Sequence, residues 1–112
     1  MHLSEEQIAF YDVAKDFALK KMAPNAEKWD EEKIFPVETL QELAALGFGG
    51  IYVNPELGGS GLSRLDASLI FEALSQGCTS TSAFLSIHNM ANWMIDSFAS
   101  SELKEKFVPN LC

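Results

Sequence analysis

Residues 77–98, GCTSTSAFLSIHNMANWMIDSF, constrain the fold more than any other stretch of this chain. Their apolar residues recur at spacings of three and four, which is the pattern of a helix. The main stripe consists of Ala83, Ile87, Met90, Met94 and Phe98, and a second apolar row widens it. A helix that is apolar nearly all round is expected to be buried. We therefore predict a helix of about five turns here, the most buried in the protein, with the other helices packed around it.

The polar exceptions on this helix are small side chains, namely Ser82, Ser86 and Asn89. Small polar residues on a buried helix either hydrogen-bond to neighbouring backbone or line a cavity. The sequence pattern leaves both alternatives open.

Capping residues predict where the first and third helices begin, and a proline predicts where the first is interrupted. Ser4 followed by Gln7, and Ser63 followed by Asp66, each fit the capping box at a helix start. Pro24 predicts a kink or a stop in the first helix, because proline has no backbone N–H to donate.

Two more helices complete the predicted fold. Pro36 suits the first position of a short helix, and Gly47 suits the left-handed position that ends it. Ser100 or Ser101 is expected to cap a last short helix, which Pro109 is expected to break. The sum is an all-α fold, an orthogonal or up-down bundle of about five helices, with residues 1–112 as a single domain.

Composition excludes several classes of partner. The formal net charge of −8 argues against nucleic acid, since phosphate binding requires clustered Lys and Arg. No apolar run reaches the ~18 residues of a membrane span, and no signal or transit peptide is visible. We therefore expect no membrane partner, and a chain that is cytoplasmic or already processed. The two cysteines lack disulfide-framework and metal-ligand spacing, and Cys78 is expected to be a small buried hydrophobe.

The sequence contains no self-sufficient catalytic or metal-binding constellation. Ser86, His88 and Asp96 cannot form a triad, because helix residues two positions apart point in different directions. His88 has no metal-ligating residue three or four positions away, so we expect a hydrogen-bonded core or interface residue. The glycine-rich run at 58–61 lacks the lysine and the spacing of a phosphate-binding loop, and we interpret it as a structural turn. We predict no catalytic, cofactor-binding or metal-binding residue in this chain.

Several strings, taken in order, carry a resemblance to a known family. They are Phe35-Pro36 before a short helix, Leu46-Gly47-Phe48-Gly49-Gly50, Pro55-Glu56-Leu57-Gly58-Gly59-Ser60-Gly61, Glu72, and Gly77-Cys78-Thr79-Ser80. In this order and spacing, essentially the whole chain resembles the N-terminal helical domain of the acyl-CoA dehydrogenases. Two further strings, SIHNM at 86–90 and WMIDSF at 93–98, resemble the members that act on isobutyryl-CoA in valine breakdown.

The resemblance implies an FAD-dependent oxidoreductase that removes hydrogens from the α and β carbons of an acyl-CoA thioester. Its electrons would pass to an electron-transferring flavoprotein. A middle β domain and a C-terminal helical bundle, usually assembled as a homotetramer, would hold the flavin and the catalytic carboxylate. We expect these domains to lie outside residues 1–112, so that this chain alone neither catalyses nor binds FAD tightly. The implied compartment is the mitochondrial matrix in a eukaryote and the cytoplasm in a bacterium.

By the same resemblance, the helix after Gly77 closes the acyl pocket. Its implied substrate-binding residues are Ser82, Ala83, Ser86, Ile87 and Met90. These positions share one broad helical face, and the small serines would leave room that a leucine would fill. The alternative is that both serines bond to carbonyls one turn earlier. Two other functions stay open: a free-standing helical interaction module, and an acyl-CoA oxidase or flavin monooxygenase of the same fold.

Overall fold

The computed structural model describes residues 2–112, which contain no β-strand. The α-helices are α1 (Glu5–Phe17), α2 (Ala23–Glu31), α3 (Val37–Ala45), α4 (Arg64–Ser75), α5 (Thr79–Phe98) and α6 (Ser101–Leu111). A π-helical segment, Ala18–Met22, joins α1 to α2 without a break, and a short 3₁₀ turn occupies Pro55–Leu57. Because α1, the π-helical segment and α2 follow one another without a break, they count as one helical rod, and residues 2–112 form five such rods. The predicted all-α fold is confirmed.

The two predicted capping boxes are confirmed in detail. The Gln7 N–H donates to the Ser4 hydroxyl at 3.0 Å, and the Ser4 N–H donates to the Gln7 side chain at 3.0 Å. Ser63 and Asp66 make the same reciprocal pair at the start of α4, at 3.1 and 3.0 Å. Each pair satisfies two N–H groups that a helix start would otherwise leave without acceptors.

The end of α3 is also confirmed. Gly47 has a φ of 95°, a left-handed conformation that glycine adopts without steric cost. The next N–H, that of Phe48, donates back to the Leu43 carbonyl at 3.1 Å, as expected for a Schellman-type end. This reversal carries Phe48 into the core.

The predictions for the two prolines have different outcomes. At Pro24 the first helix does not stop; the departure from α-geometry comes just before it, where the Ala23 N–H donates to the Ala18 carbonyl across a wider π-turn. Pro109 lies inside α6, which continues to Leu111, so the predicted break is wrong. Proline fixes φ near the helical value, and at this position it removes only one hydrogen bond close to the helix end.

The core lies between the first helix, α4 and the inner face of α5, with α1 packed along α4, and Leu43 of α3 and the segment 48–51 complete it. At the end of α4, Gly77 passes so close to the first helix that a Cβ would lie 2.5 Å from the Ala18 carbonyl oxygen. Only glycine permits this approach. The largest members of the core are Met22, Leu43, Phe48, Ile51, Ile70, Leu74 and Leu85.

The predicted burial of α5 is wrong for this chain. Its apolar stripe faces outward: Ile87 is 57% exposed and Phe98 is 75% exposed. The buried residues of α5 are Thr81, Ser82, Leu85, Asn89 and Asn92, five of its 20, whereas α4 buries five of its 12. The most buried helix is therefore α4. An apolar stripe predicts that a helix face is buried against something, but it does not indicate whether the residues that bury it belong to this chain.

Candidate functional site

The inner face of α5 is held by buried asparagines. The Asn89 carbonyl oxygen accepts the Ile51 N–H at 2.7 Å, and its amide donates to the carbonyls of Phe48 and Leu85, both at 2.9 Å. Residues 48–51 lie in an irregular segment, in which the Ile51 N–H and the Phe48 carbonyl have no backbone hydrogen-bond partner. Asn89 supplies those partners, and it thereby fixes α5 against the segment.

Asn92 lies one turn further along the same face and contacts the last residue of the chain. Its amide donates to the Gly49 carbonyl at 3.3 Å and approaches the Cys112 sulfur at 3.4 Å. Within residues 2–112 its carbonyl oxygen has no hydrogen-bond donor. Burial raises the pKa of the half-buried Cys112 thiol, only partly offset by the Asn92 contact, and the charge of Asp96 adds to the rise. The raised pKa describes an unreactive thiol.

The outer face of α5 carries four of the five predicted pocket residues. Ala83, Ile87 and Met90 are exposed, and Ser86 is half-buried. The only titratable residues in α5 are His88 and Asp96, and neither is among its exposed residues. The outer face therefore presents apolar and small uncharged side chains over its whole length.

The fifth predicted residue, Ser82, lies behind this face against α4. Its hydroxyl donates to the Phe71 carbonyl at 3.3 Å and accepts from the Ser75 hydroxyl at 3.2 Å. The Ser86 hydroxyl donates to the Ala83 carbonyl of its own helix at 2.7 Å. Both serines thus donate to backbone carbonyls, as the alternative interpretation expects, although the acceptor of Ser82 belongs to α4. Their assignment to an acyl pocket stays a prediction.

The glycine-rich run at 58–61 is a structural turn. Its N–H groups all donate within the chain: Gly58 to Pro55, Gly59 to Asn54, Ser60 to Gly50 and Gly61 to Val53, at 2.8–3.2 Å. A phosphate cradle requires several such N–H groups to be free and convergent. The run therefore does not fit the phosphates of a flavin or a nucleotide.

The polar side chains of α5 that could act in catalysis, His88 and Asp96, hydrogen-bond to backbone groups instead. His88 Nε2 lies 2.7 Å from the Leu111 carbonyl, which makes it the expected hydrogen-bonded residue and joins α5 to the end of α6. Asp96 accepts the Asn54 N–H at 3.3 Å. Across residues 2–112 no group of three His, Cys, Asp or Glu side chains is placed to hold a metal ion. No helix in the described part of the chain is both long and apolar enough to span a bilayer.

Two open grooves lie beside a different face of α5. They have volumes of about 290 and 260 Å³ and meet at the edge-to-face pair of Phe35 and Phe84, whose ring centroids are 4.7 Å apart. Cys78 lines the first groove and is half-buried, so the expected small hydrophobe is only partly covered. Neither groove includes the five predicted pocket residues.

Sequence analysis missed the environment of Arg64, the only arginine of the chain. Its guanidinium lies over the ring of Tyr52 at 4.2 Å and over the ring of Trp93 at 4.7 Å. The stack joins the irregular segment, the start of α4 and the second half of α5. The sequence does show that Arg64 is the single arginine among eight basic residues. Its aromatic partners are distant in sequence, so no local pattern connects them to it.

Comparison with known proteins gives concordant matches along the whole chain. The family model described as "Acyl-CoA dehydrogenase, N-terminal domain" matches residues 4–112. The mitochondrial isobutyryl-CoA dehydrogenase of Bos taurus is 55% identical over 112 residues, which are 100% of this chain and 27% of that protein. The mitochondrial isobutyryl-CoA dehydrogenase of Dictyostelium discoideum is 55% identical over 109 residues, 97% of this chain and 26% of that protein. The chain thus spans about a quarter of the length of these relatives.

Solved structures agree with the sequence matches. A structure titled "FAD complex of PigA" superposes with a TM-score of 0.91 at 34% identity, covering 99% of this chain and 30% of that one. Butyryl-CoA dehydrogenase from Megasphaera elsdenii superposes with a TM-score of 0.89 at 31% identity and the same coverage. With the match of the family model over 4–112, these findings show that the chain belongs to the acyl-CoA dehydrogenase N-terminal domain family.

Proposed function

We propose that this chain is the N-terminal domain of an FAD-dependent acyl-CoA dehydrogenase that acts on a short branched acyl-CoA, with isobutyryl-CoA as the preferred substrate. The choice within the family rests on the 55% identity to two isobutyryl-CoA dehydrogenases, compared with 33% to the human short-chain enzyme. The domain is not catalytic alone. Its role is to close the acyl pocket and to support assembly of the whole enzyme.

The observation that carries the proposal is the outer face of α5. None of the exposed residues of this 20-residue helix is charged, in a protein where 21% of residues are charged. An exposed apolar face of this length is costly in water and marks a surface that another group covers. A saturated acyl chain against Ala83, Ser86, Ile87 and Met90 would supply that cover, with the remaining domains around it. Ser82, behind them, would fix the wall to α4.

The flavin and the catalytic base belong, in this proposal, to the rest of the full-length protein. The N–H groups of the glycine-rich turn already donate within the chain, so this turn does not fit the flavin phosphates. FAD, the electron-transferring flavoprotein and the homotetramer are therefore proposed for the full-length protein. Both isobutyryl-CoA dehydrogenase relatives are named as mitochondrial, which supports the mitochondrial matrix as the compartment.

A second flavin chemistry on the same fold has some support. Matching structures are titled "Apo-form PigA" and "PigA with FAD and proline", with TM-scores of 0.91 at 34% identity. The acryloyl-CoA reductase (NADH) of Anaerotignum propionicum is 33% identical over 109 residues. We rank these activities behind isobutyryl-CoA oxidation, because sequence identity is 33–34% to these proteins and 55% to the isobutyryl-CoA dehydrogenases. Flavin reduction by isobutyryl-CoA in the purified full-length protein distinguishes them.

Ser86→Leu tests the pocket wall. In the full-length protein, a leucine there would fill space that the acyl group occupies, so we expect kcat/KM on isobutyryl-CoA to fall at least about 10-fold. Stability should change less than activity, because Ser86 lies at the outer face. Ser97→Leu, an exposed position on the same helix, is the matched control and should retain activity. Unchanged kinetics with Leu at position 86 would remove Ser86 from the pocket.

A further inference from the structure

Arg64 is the only basic residue in the middle of the chain, and it has no acidic partner there. No other Lys or Arg occurs between Lys33 and Lys104. In the part of the chain that the structure describes, all the ion pairs are made by lysines, and the exposed Arg64 takes part in none. Its five N–H donors therefore have no carboxylate acceptor within residues 2–112.

The guanidinium is nevertheless held in one place by aromatic rings. Its central carbon lies 4.2 Å from the ring centroid of Tyr52 and 4.7 Å from that of Trp93. These contacts restrict a long and otherwise flexible side chain, but they supply no oxygen acceptor for its N–H donors. The result is a planar cation that is already fixed in position and still able to bind a carboxylate through two N–H groups.

The acids on the neighbouring helices do not fill this role. Asp66 accepts the Ser63 N–H at 3.0 Å as part of the cap of α4. Asp96 of α5 accepts the Asn54 N–H at 3.3 Å. Glu72, the remaining acid of these two helices, lies two turns further along α4. A carboxylate that pairs with the arginine thus has to come from outside residues 2–112.

The arginine lies at the margin of the apolar outer face of α5. Trp93, which contacts its guanidinium, packs edge to face on Phe98 with ring centroids 5.8 Å apart. Phe98 is 75% exposed and belongs to the stripe that further domains are proposed to cover. A domain that covers this end of the stripe also removes water from the guanidinium. The charge then needs an acceptor, because burial of an unpaired charge is very costly.

We propose that Arg64 binds the carboxylate of an Asp or Glu side chain from the part of the full-length protein that covers α5. This inference rests on the proposed function and adds to it the contact that fixes where the covering part is placed. A single planar guanidinium matches a carboxylate in both charge and geometry. A phosphate group fits less well, because the site offers one cation and Asp66 lies two residues away on the same helix.

Carbodiimide coupling in the full-length protein tests the pairing directly. Arg64→Lys places an amine where the guanidinium lies, and a carbodiimide joins an amine to a carboxylate in contact with it as an amide. We expect the introduced lysine to couple to an Asp or Glu outside residues 2–112, identified by peptide mass spectrometry. Ser68→Lys, at an exposed position one turn along α4, is the matched control and should not couple to that acid. Coupling at position 64 to an acid within residues 2–112, or to none, would overturn the inference.

The wild-type protein gives a second readout that needs no substitution at Arg64. Phenylglyoxal modifies guanidinium groups that are free, and Arg64 is the only arginine of residues 1–112, so its peptide reports on it alone. In the full-length protein we expect Arg64 to react at least about 10-fold more slowly than an arginine introduced by Ser68→Arg. Equal rates would contradict the proposal. Protection that appears only with added inorganic phosphate would do so too, since it would indicate a site for a free anion.

Flavin reduction separates this inference from the proposed function. If isobutyryl-CoA reduces the flavin of the full-length protein and Arg64 is freely modified, only the carboxylate contact is wrong. If isobutyryl-CoA does not reduce the flavin, the proposed function fails, whatever the result at Arg64.

Discussion

At Asn89, one side-chain amide bonds to three backbone groups, two of them in the irregular segment 48–51 and one in its own helix. It accepts from Ile51 and donates to Phe48 and Leu85, all within 2.9 Å, and the residue is 1% exposed. Substitution by an apolar residue would leave the Ile51 N–H and the Phe48 carbonyl buried without partners. The cost of such orphaned groups exceeds the mean value of a hydrogen bond.

We expect Asn89→Leu to lower the free energy of unfolding by about 3 kcal/mol, measured from urea denaturation. Asn25→Leu is the matched control, because Asn25 is exposed and bonds only to the Lys21 carbonyl of its own helix. That control should change the free energy by less than about 0.5 kcal/mol. Similar losses for the two variants would show that the buried network is not what Asn89 contributes.

The titration of Asp66 makes the free energy of unfolding depend on pH. The Ser63 N–H holds the pKa of this carboxyl below its ordinary value of 3.8; partial burial opposes this effect, and the side chains of Gln7 and Ser63 reinforce it. Since the folded pKa is the lower one, Asp66 stabilises the fold above the unfolded pKa. That contribution is lost as the pH falls through the folded pKa.

The direction of this pKa shift predicts the effect of Asp66→Asn. The stability difference between wild type and variant should be constant at neutral pH and should shrink as the pH falls below about 4. Urea denaturation of both proteins at a series of pH values measures it. A difference that stays the same down to about pH 2.5 would contradict the assignment of the depressed pKa to the cap.

At the scale of elements, the sequence predicted the helix ends better than the faces. Capping boxes and Gly47 act locally, through residues three or four positions apart, so their geometry is fixed by the sequence itself. The orientation of α5 depends on a distant segment: Asn89 and Asn92 are buried because residues 48–51 need hydrogen-bond partners. The hydrophobic periodicity of α5 contains no information about these distant hydrogen-bond partners. The stripe at Ile87 and Met90 was identified correctly as apolar, but its cover is not within residues 2–112.

Arg64 shows how separate elements are joined without a large core. Its guanidinium is stacked between Tyr52, which precedes the 3₁₀ turn, and Trp93 of α5. Arg64→Lys keeps the charge but loses the planar stack, and it should lower the free energy of unfolding by about 1 kcal/mol. A double-mutant cycle with Trp93→Leu measures the coupling. If Arg64→Lys costs the same in both backgrounds, the contact between Arg64 and Trp93 contributes no stability.

At the scale of the whole molecule, the chain has a flat shape and an excess of apolar surface. Its dimensions are 41 × 38 × 18 Å, and its accessible surface is 6858 Å². A compact monomer of 12.4 kDa is expected to expose about 6,100 Å², so roughly 700 Å² is in excess. Within residues 2–112, fifteen large hydrophobic residues are exposed, about as many as the 14 hydrophobic residues that are buried. Such a ratio is typical of a part that packs against further domains or subunits.

The isolated chain should therefore self-associate at high concentration. Apolar contact drives association, while the net charge of −8 opposes it, so added salt should strengthen association by screening the repulsion. Light scattering across a concentration series, at low and at high salt, measures the mass directly. The double variant Ile87→Ser with Phe98→Ser removes two exposed side chains from the outer face of α5 and should weaken association, whereas Leu19→Ser, on the first helical rod, should do so much less. A monomeric mass at every concentration and salt would mean that the exposed stripe is tolerated in water. In that case the exposed apolar stripe would no longer be a reason to place an acyl group and further domains against α5.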